Sequence, residues 1–254
     1  MKNRDFIITS LQPWDIEIGS TIKNTALEIS KNNRVLYINT PMDYSTRLRG
    51  NKNKAWTRRM DVIKKQASPI RQINEHMWIA DCPFCVLPVG GLPTTCLFDW
   101  INRINNRKIA DYIRQITTQL NFNNYIHLID TDIYRSQYLK EYLTPSLSIY
   151  YCRDFVIGES YWKKNGVRLE PLLAAKSDIV LANSTHFAER FRQYNRHTFS
   201  IETGVNLALY DGRKKWLIPE DIKPIPHPII GYVGTVNSTC LLYTSPSPRD
   251  PKTS

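Results

Sequence analysis

The 254-residue sequence predicts an α/β fold, in which a parallel, doubly wound sheet is covered by helices on both faces. Short continuous apolar runs of strand type alternate with amphipathic helical segments along most of the chain, and such runs are typical of parallel strands buried on both faces. The composition agrees, because 42% hydrophobic and 22% charged residues suit a globular protein that buries a core.

The alternation begins with a βαβ unit. The run 5–11 predicts a first strand, Ser20 is placed to cap a helix that ends near Asn32, and residues 34–40 predict a second strand that Pro41 stops. Further strands are predicted over residues 77–80, 125–129, 148–152, 178–182 and 198–201. Further helices are predicted over residues 98–120, 134–143, 167–176 and 185–194.

The loop after the first strand carries the candidate ligand-binding residues Asp15, Glu17, Gly19 and Ser20. Ligands of open parallel sheets bind beyond the carboxyl ends of the strands, where this loop lies. Gly19 permits close backbone approach, and Ser20 with the helix N-terminus presents amide donors to an anion or a sugar hydroxyl. A tight turn at Gly19 is the structural alternative. The loop lacks the G-x-G-x-x-G pattern, which disfavours a dinucleotide-binding dehydrogenase.

Two later loops carry the candidate catalytic residues. Asp130 and Asp132 follow one predicted strand together with Arg135, and Asp154 follows the next one together with Arg153. Any of the three aspartates can orient an acceptor hydroxyl or take its proton. Helix capping is the alternative role for Asp132. Arg153 can bind a phosphate through two parallel hydrogen bonds or pair with Asp154.

Other reactive side chains favour structural roles. His127 lies in an apolar strand and is interpreted as a core histidine. The pair Cys82 and Cys85 has no second pair to complete a zinc site, so neither a metal nor a cofactor is expected. Five cysteines are an odd number and too few for a disulfide framework, which agrees with a reducing compartment. With no membrane span and no signal peptide in the sequence, we expect a cytoplasmic protein.

The positive charge is concentrated in residues 47–71. This segment holds nine basic side chains against the single acidic residue Asp61, which is +8 of the net charge of +11. With Trp56 and Met60 interleaved, it can lie on an anionic membrane surface. A solvated loop and a nucleic-acid-binding patch are the alternatives, of which nucleic acid is the least favoured.

Five segments resemble GT-B glycosyltransferases of family 4, and particularly a branch of teichuronic-acid type. They are Ile-Thr-Ser-Leu-Gln-Pro-Trp-Asp-Ile-Glu-Ile-Gly-Ser at 8–20, Tyr-Tyr-Cys-Arg-Asp-Phe at 150–155, Leu-Ala-Asn-Ser at 181–184, Thr-Gly-Val-Asn at 203–206 and Pro-Ile-Ile-Gly-Tyr-Val-Gly at 228–234. The fourth differs from the group's Asn-Gly-Val-Asp at both outer positions. The resemblance extends to about Ser238.

The resemblance implies a Rossmann-like N-terminal domain that holds the acceptor, here residues 1–222. It also implies a second domain that binds a nucleotide-diphosphate sugar. That domain would begin at residue 223, with a strand at 229–233 and with Gly231 and Gly234 in its donor phosphate loop. The implied reaction transfers a sugar, with retention of stereochemistry, to a cell-surface glycan or a lipid-linked acceptor.

The last segment, residues 240–254, matches the translation of a transposase sequencing adapter. We therefore expect it to be non-native and exclude it from the fold. The natural sequence would then end near residue 239 within a truncated second domain, so that this chain is an acceptor-binding fragment without activity of its own.

Overall fold

The computed structural model describes residues 1–16, 19–51, 53–202, 204, 213, 217–229 and 231. The chain divides into two compact units, residues 1–204 and residues 205–254. Of the candidate site residues, Glu17 and Gly234 lie outside the described part. The predicted start of a second domain at residue 223 stays a prediction.

The first unit contains eight strands and seven α-helices among its described residues. The strands are β1 (Asp5–Ser10), β2 (Arg34–Ile38), β3 (Ile70–Asn74), β4 (Met77–Ala80), β5 (Ile126–Asp130), β6 (Leu147–Cys152), β7 (Ile179–Ala182) and β8 (Thr198–Ser200). The helices are α1 (Thr21–Ser30), α2 (Tyr44–Arg49), α3 (Lys54–Ile63), α4 (Thr95–Gln119), α5 (Leu139–Leu143), α6 (Ser160–Lys176) and α7 (Thr185–Arg192). A short 3₁₀ helix spans Val156–Gly158.

All strands form one sheet in the order β3-β4-β2-β1-β5-β6-β7-β8. The pairs are parallel except β3 with β4, which is antiparallel. The chain builds outward from β1 through β2 to β4 and then continues on the other side of β1 with β5. Strand order therefore reverses between β1 and β5, and such a switch point opens a crevice beyond the carboxyl ends of the strands.

Apolar residues on both faces of the sheet explain its double covering. On β1 and β2, Ile7 and Leu36 pack in a cluster that includes Ile113 of α4. Ile8 on the opposite face of β1 packs in a second cluster with Ile22 of α1. Because successive side chains of a strand point to opposite faces, the continuous apolar run of β1 needs a helix on each side. The predicted doubly wound α/β class is confirmed.

The first βαβ unit forms as predicted. The Ser20 hydroxyl accepts a hydrogen bond from the Lys23 amide at 3.3 Å and caps α1. This bond satisfies one of the amide groups that a helix N-terminus leaves free.

The predicted helix over residues 134–143 is wrong in its first half, because α5 begins only at Leu139. Residues 133–138 form turns instead. The carbonyl of Tyr134 accepts hydrogen bonds at 2.9 Å from the side-chain amides of both Asn102 and Asn106 on α4. Side chains of α4 therefore bond to the Tyr134 carbonyl, which would have accepted a backbone hydrogen bond if a helix had begun at this residue.

The basic segment is structured, so the solvated-loop alternative is wrong for most of its described residues. Asp43 caps α2 by accepting from the Thr46 amide at 2.6 Å, and Asn53 caps α3 by accepting from the Trp56 amide at 2.8 Å. The segment ends in β3, which the sequence analysis did not predict.

In the second unit, the amides of Ile222 and Lys223 both bond to the carbonyl of Pro219, at 3.1 and 3.3 Å. The predicted strand at 229–233 lies mostly outside the described residues. Among the helices that the structure describes, none has the length and apolar content to cross a membrane.

His127 on β5 gives a prediction about acid stability. Its ring is buried, Nε2 lies 3.0 Å from the Thr9 hydroxyl, and Nδ1 is without a partner. Burial lowers the pKa of His127 from 6.5 to about 3. The unfolded chain therefore takes up this proton first as the pH falls, and stability should drop between these two pKa values by up to about 1.4 kcal/mol per pH unit.

Urea unfolding between about pH 7 and about pH 5 measures this slope. His127→Gln should make the free energy of unfolding less dependent on pH than in the wild type. The control His76→Gln removes an exposed imidazole from the turn between β3 and β4 and should leave the slope unchanged. Equal slopes in wild type and His127→Gln would contradict the assignment.

Candidate functional site

Asp130 lies at the centre of the crevice, where β5 ends. Its side chain is 0% exposed. The Ser10 hydroxyl donates to Oδ2 at 2.6 Å, while Nε and Nη2 of Arg153 donate to Oδ1 and Oδ2 at 3.0 and 3.3 Å. Both carboxylate oxygens are therefore engaged. These bonds join the end of β1, the end of β5 and the segment after β6. Ser10, Asp130 and Arg153 thus form a clamp that holds together three segments bordering the crevice.

Asp154 lies at the outer side of this clamp. Its Oδ2 is 3.3 Å from Nη1 of Arg153, and its side chain is 57% exposed. The pairing of Arg153 with Asp154 anticipated from the sequence is present, but the bidentate partner of Arg153 is Asp130. Of the three candidate aspartates, Asp154 is the one open to solvent.

Asp132 and Arg135 lie in the turn after β5. Oδ1 of Asp132 accepts from the Arg135 amide at 3.3 Å, and Oδ2 accepts from the Ser136 hydroxyl at 3.4 Å. Asp132 therefore caps a turn and not the helix predicted over residues 134–143. Burial raises the pKa of Asp132, and the charge of Arg135 and these hydrogen bonds oppose that rise. Both residues line a small cavity behind the carboxyl ends of β1 and β2.

Asp15 faces the same edge from the loop after β1. Nη2 of Arg71 lies 2.6 Å from both of its carboxylate oxygens, and the side-chain amide of Asn39 donates to Oδ2 at 3.2 Å. Asn39 directly follows β2, and its side-chain Oδ1 accepts from the Trp14 amide at 2.7 Å. Asn39 thus holds Trp14 and Asp15 in the loop after β1.

Asp81, which follows β4, was missed by the sequence analysis. It is buried, accepts from Asn39 at 2.7 Å and forms an ion pair with Nε of Arg58 at 3.1 Å. The signal that could have found it is its position, because it is the first residue after a strand at the ligand-binding edge of the sheet.

The basic segment therefore contributes to this edge of the sheet. Arg58 and Arg71 bind buried or half-buried carboxylates there, and Nη1 of Arg59 donates to the carbonyl of Thr40 at 3.2 Å. In the sequence, these arginines form one basic patch with Arg47 and Arg49. Charge density along the chain does not reveal which face of a helix a side chain occupies, and only the fold separates the two sets.

The candidate-site glycines Gly19 and Gly231 lie away from close contacts. A Cβ atom added at Gly19 or at Gly231 would meet nothing within 4 Å. The close backbone approach expected at Gly19 is therefore not used within this chain, and Ser20 serves as the cap of α1.

The described residues contain no group of three or more histidine, cysteine, aspartate or glutamate side chains that could hold a metal ion. Cys82 and Cys85 are both buried. Burial raises the pKa of the Cys82 thiol, which disfavours the thiolate that binds metals.

Comparisons with known proteins assign no family. No protein-family model matches the chain, and the search of curated proteins finds no match.

The clamp gives a stability prediction. Arg153→Met should lower the free energy of unfolding by about 3 kcal/mol, because the Asp130 carboxylate stays buried with Ser10 as its remaining side-chain partner. Adding Asp130→Asn removes the unpaired charge and should restore part of that loss. Urea unfolding followed by circular dichroism measures both changes.

The control variant is Glu28→Gln. It breaks the exposed pair of Glu28 with Lys31, whose charged atoms lie 2.6 Å apart, and should cost less than about 1 kcal/mol. A loss in Arg153→Met no larger than the loss in this control would contradict the clamp.

Proposed function

We propose that this chain is the acceptor-binding part of a GT-B glycosyltransferase of the family 4 type. The enzyme would transfer a hexose from a nucleotide-diphosphate sugar to a cell-surface polysaccharide or a lipid-linked acceptor. The observation that carries the ligand-binding part of the proposal is the switch point between β1 and β5, because polar side chains from four loops converge there. The described residues 8–16 of the first motif, and the motif at residues 150–155, border the same crevice.

The topology supports a ligand-binding role. Counted in chain order, the parallel strands follow the order 3-2-1-4-5-6-7, which contains the 3-2-1-4-5-6 arrangement of nucleotide-binding sheets. A sheet of this kind hosts many chemistries, so the assignment of sugar transfer depends on the motif resemblance.

Different roles follow for the three aspartates. Asp154 is exposed at the mouth of the crevice and is the aspartate that we assign to the acceptor hydroxyl. Asp130 positions the loops, since its oxygens are occupied by Arg153 and Ser10. Asp132 holds the turn that carries Arg135.

The donor side belongs to the proposed second domain. Departure of a nucleoside diphosphate requires amide donors and cations aimed at its developing charge. The resemblance places part of these donors in the loop of Gly231 and Gly234. No metal or cofactor is part of the proposal.

Peripheral attachment to an anionic membrane at the cytoplasmic face is the second proposal. The observation that favours it is α2, where Leu48 is 87% exposed between Arg47 and Arg49. Tyr44 at the start of the same helix is also exposed. An apolar side chain flanked by cations is suited to the boundary between lipid headgroups and acyl chains.

Sugar transfer is tested with this chain alone and with the proposed full-length parent protein, which would carry the complete second domain. The chain alone should release no nucleoside diphosphate from nucleotide sugars, because the resemblance assigns donor binding to the second domain. Turnover by the chain alone would contradict this.

In the parent protein, Asp154→Asn should lower kcat/KM about 100-fold through loss of acceptor orientation. The control Asp99→Asn removes a carboxylate that pairs with Arg168 and has no described bond to Asp130, Arg153 or Asp154, and it should leave kcat/KM unchanged. Absence of sugar transfer by the parent protein with any nucleotide sugar would overturn the proposed function.

Membrane attachment is tested by sedimentation with vesicles of phosphatidylcholine and phosphatidylglycerol. Arg47→Gln combined with Arg49→Gln should weaken binding roughly 30-fold, since each charge contributes about 1 kcal/mol near anionic lipid. The control pair Arg192→Gln and Arg196→Gln removes two exposed charges in and after α7 and should have little effect.

An equal loss in both pairs would contradict a specific docking face. Binding to duplex DNA that depends on Arg47 and Arg49, without vesicle binding, would favour the nucleic-acid alternative.

A further inference from the structure

Besides Asp154 at the mouth of the crevice, five aspartates lie at this edge of the sheet, and each of their carboxylates already has partners. The pairs are Asp15 with Arg71, Asp43 with the Thr46 amide, Asp81 with Arg58, Asp130 with Arg153 and Asp132 with the Arg135 amide. Within the described ranges, two arginines at this edge have no carboxylate within 4 Å. They are Arg59 and Arg135.

Arg59 is half-buried and is held by the backbone. Its Nε donates to the Ala55 carbonyl at 3.0 Å within α3, and Nη1 donates to the Thr40 carbonyl at 3.2 Å. These neutral acceptors fix the guanidinium at the end of β2 without neutralising it. Its remaining N–H groups are available to a ligand, because a guanidinium carries five donors.

Arg135 is also half-buried and lies on the neighbouring turn. Its backbone amide is fixed by Asp132, while its guanidinium makes no hydrogen bond or ion pair to the part of the chain that the structure describes. A charged fork that is partly removed from water and lacks a protein partner favours an anionic ligand.

Both arginines lie near Thr40. Arg59 bonds to the carbonyl of Thr40, and Arg135 lines one small cavity together with Thr40 and Asn39. Burial lowers the pKa of Arg59, and the nearby positive charge of Arg135 lowers it further, against the opposing charges of Asp81, Asp15 and Asp43. The two like charges repel each other, and an anion between them relieves that repulsion.

We propose that Arg59 and Arg135 form a phosphate-binding subsite in the crevice. Guanidinium forks match the oxygens of phosphate through parallel hydrogen bonds, which two point charges on lysines would not provide. The inference rests on the proposed function only in assigning this phosphate to the acceptor, which would then be a phosphorylated sugar or a phospholipid-linked glycan. Phosphate binding itself is measurable without sugar transfer.

Isothermal titration of the full chain with inorganic phosphate, glucose 1-phosphate and glucose tests the subsite. Arg135→Gln should weaken binding of inorganic phosphate and of glucose 1-phosphate about tenfold or more. This variant is chosen because it breaks no described side-chain bond. Glucose should show no binding that depends on Arg135.

The control Arg192→Gln makes the same change in net charge on the exposed surface of α7, and it should leave phosphate affinity unchanged. A second variant, Arg59→Gln, should reproduce the loss seen in Arg135→Gln, and circular dichroism establishes that each variant is folded. An equal loss in Arg192→Gln, or unchanged affinity in Arg135→Gln, would overturn the subsite.

Vesicles of phosphatidylcholine and phosphatidylglycerol separate the possible sources of the phosphate. If binding of glucose 1-phosphate depends on Arg135 but binding of vesicles does not, the result would support a soluble phosphorylated sugar as the source. If vesicle binding also depends on Arg135, the result would support a lipid phosphate. If phosphate binding requires Arg135 but the parent protein transfers no sugar, the subsite stands and the proposed function fails.

Discussion

The buried charge of Asp130 is the constraint on which the crevice depends. A carboxylate without solvent exposure is tolerated only with a cation and hydrogen-bond donors beside it, and Arg153 and Ser10 supply these. Because Ser10 ends β1 and Arg153 follows β6, satisfying one charge fixes the ends of three adjacent strands. The loops that border the switch point are thereby held in one arrangement.

The same logic extends across the sheet to β2 and β4. Asn39 donates to both Asp15 and Asp81, and these carboxylates take Arg71 and Arg58 from the basic segment. The polar edge is therefore built from paired charges that come from five loops. The guanidinium groups of Arg59 and Arg135 differ from these pairs, because neither has a carboxylate partner among the described residues.

Charge on the basic segment illustrates how far sequence reasoning reaches. Counting residues 47–71 correctly located most of the net charge, but it treated the segment as one surface. Folding into α2, α3 and β3 turns Arg58 and Arg71 toward carboxylates and leaves Arg47 and Arg49 with Leu48 on the outside. The surface proposed to bind the membrane is therefore α2 and not the whole of residues 47–71.

The sequence by itself determined the doubly wound sheet, because apolar strand runs and helix caps such as Ser20 are local signals with fixed periodicity. It also identified the loops at the carboxyl ends of the strands. Tertiary structure decided which side chains meet there, since Arg153 and Asp130 are separated by 23 residues and Arg71 and Asp15 by 56. It also decided that residues 134–138 form turns and not the start of a helix, because Asn102 and Asn106 on the distant helix α4 donate to the carbonyl of Tyr134. Such pairings depend on distance in space, which no local pattern encodes.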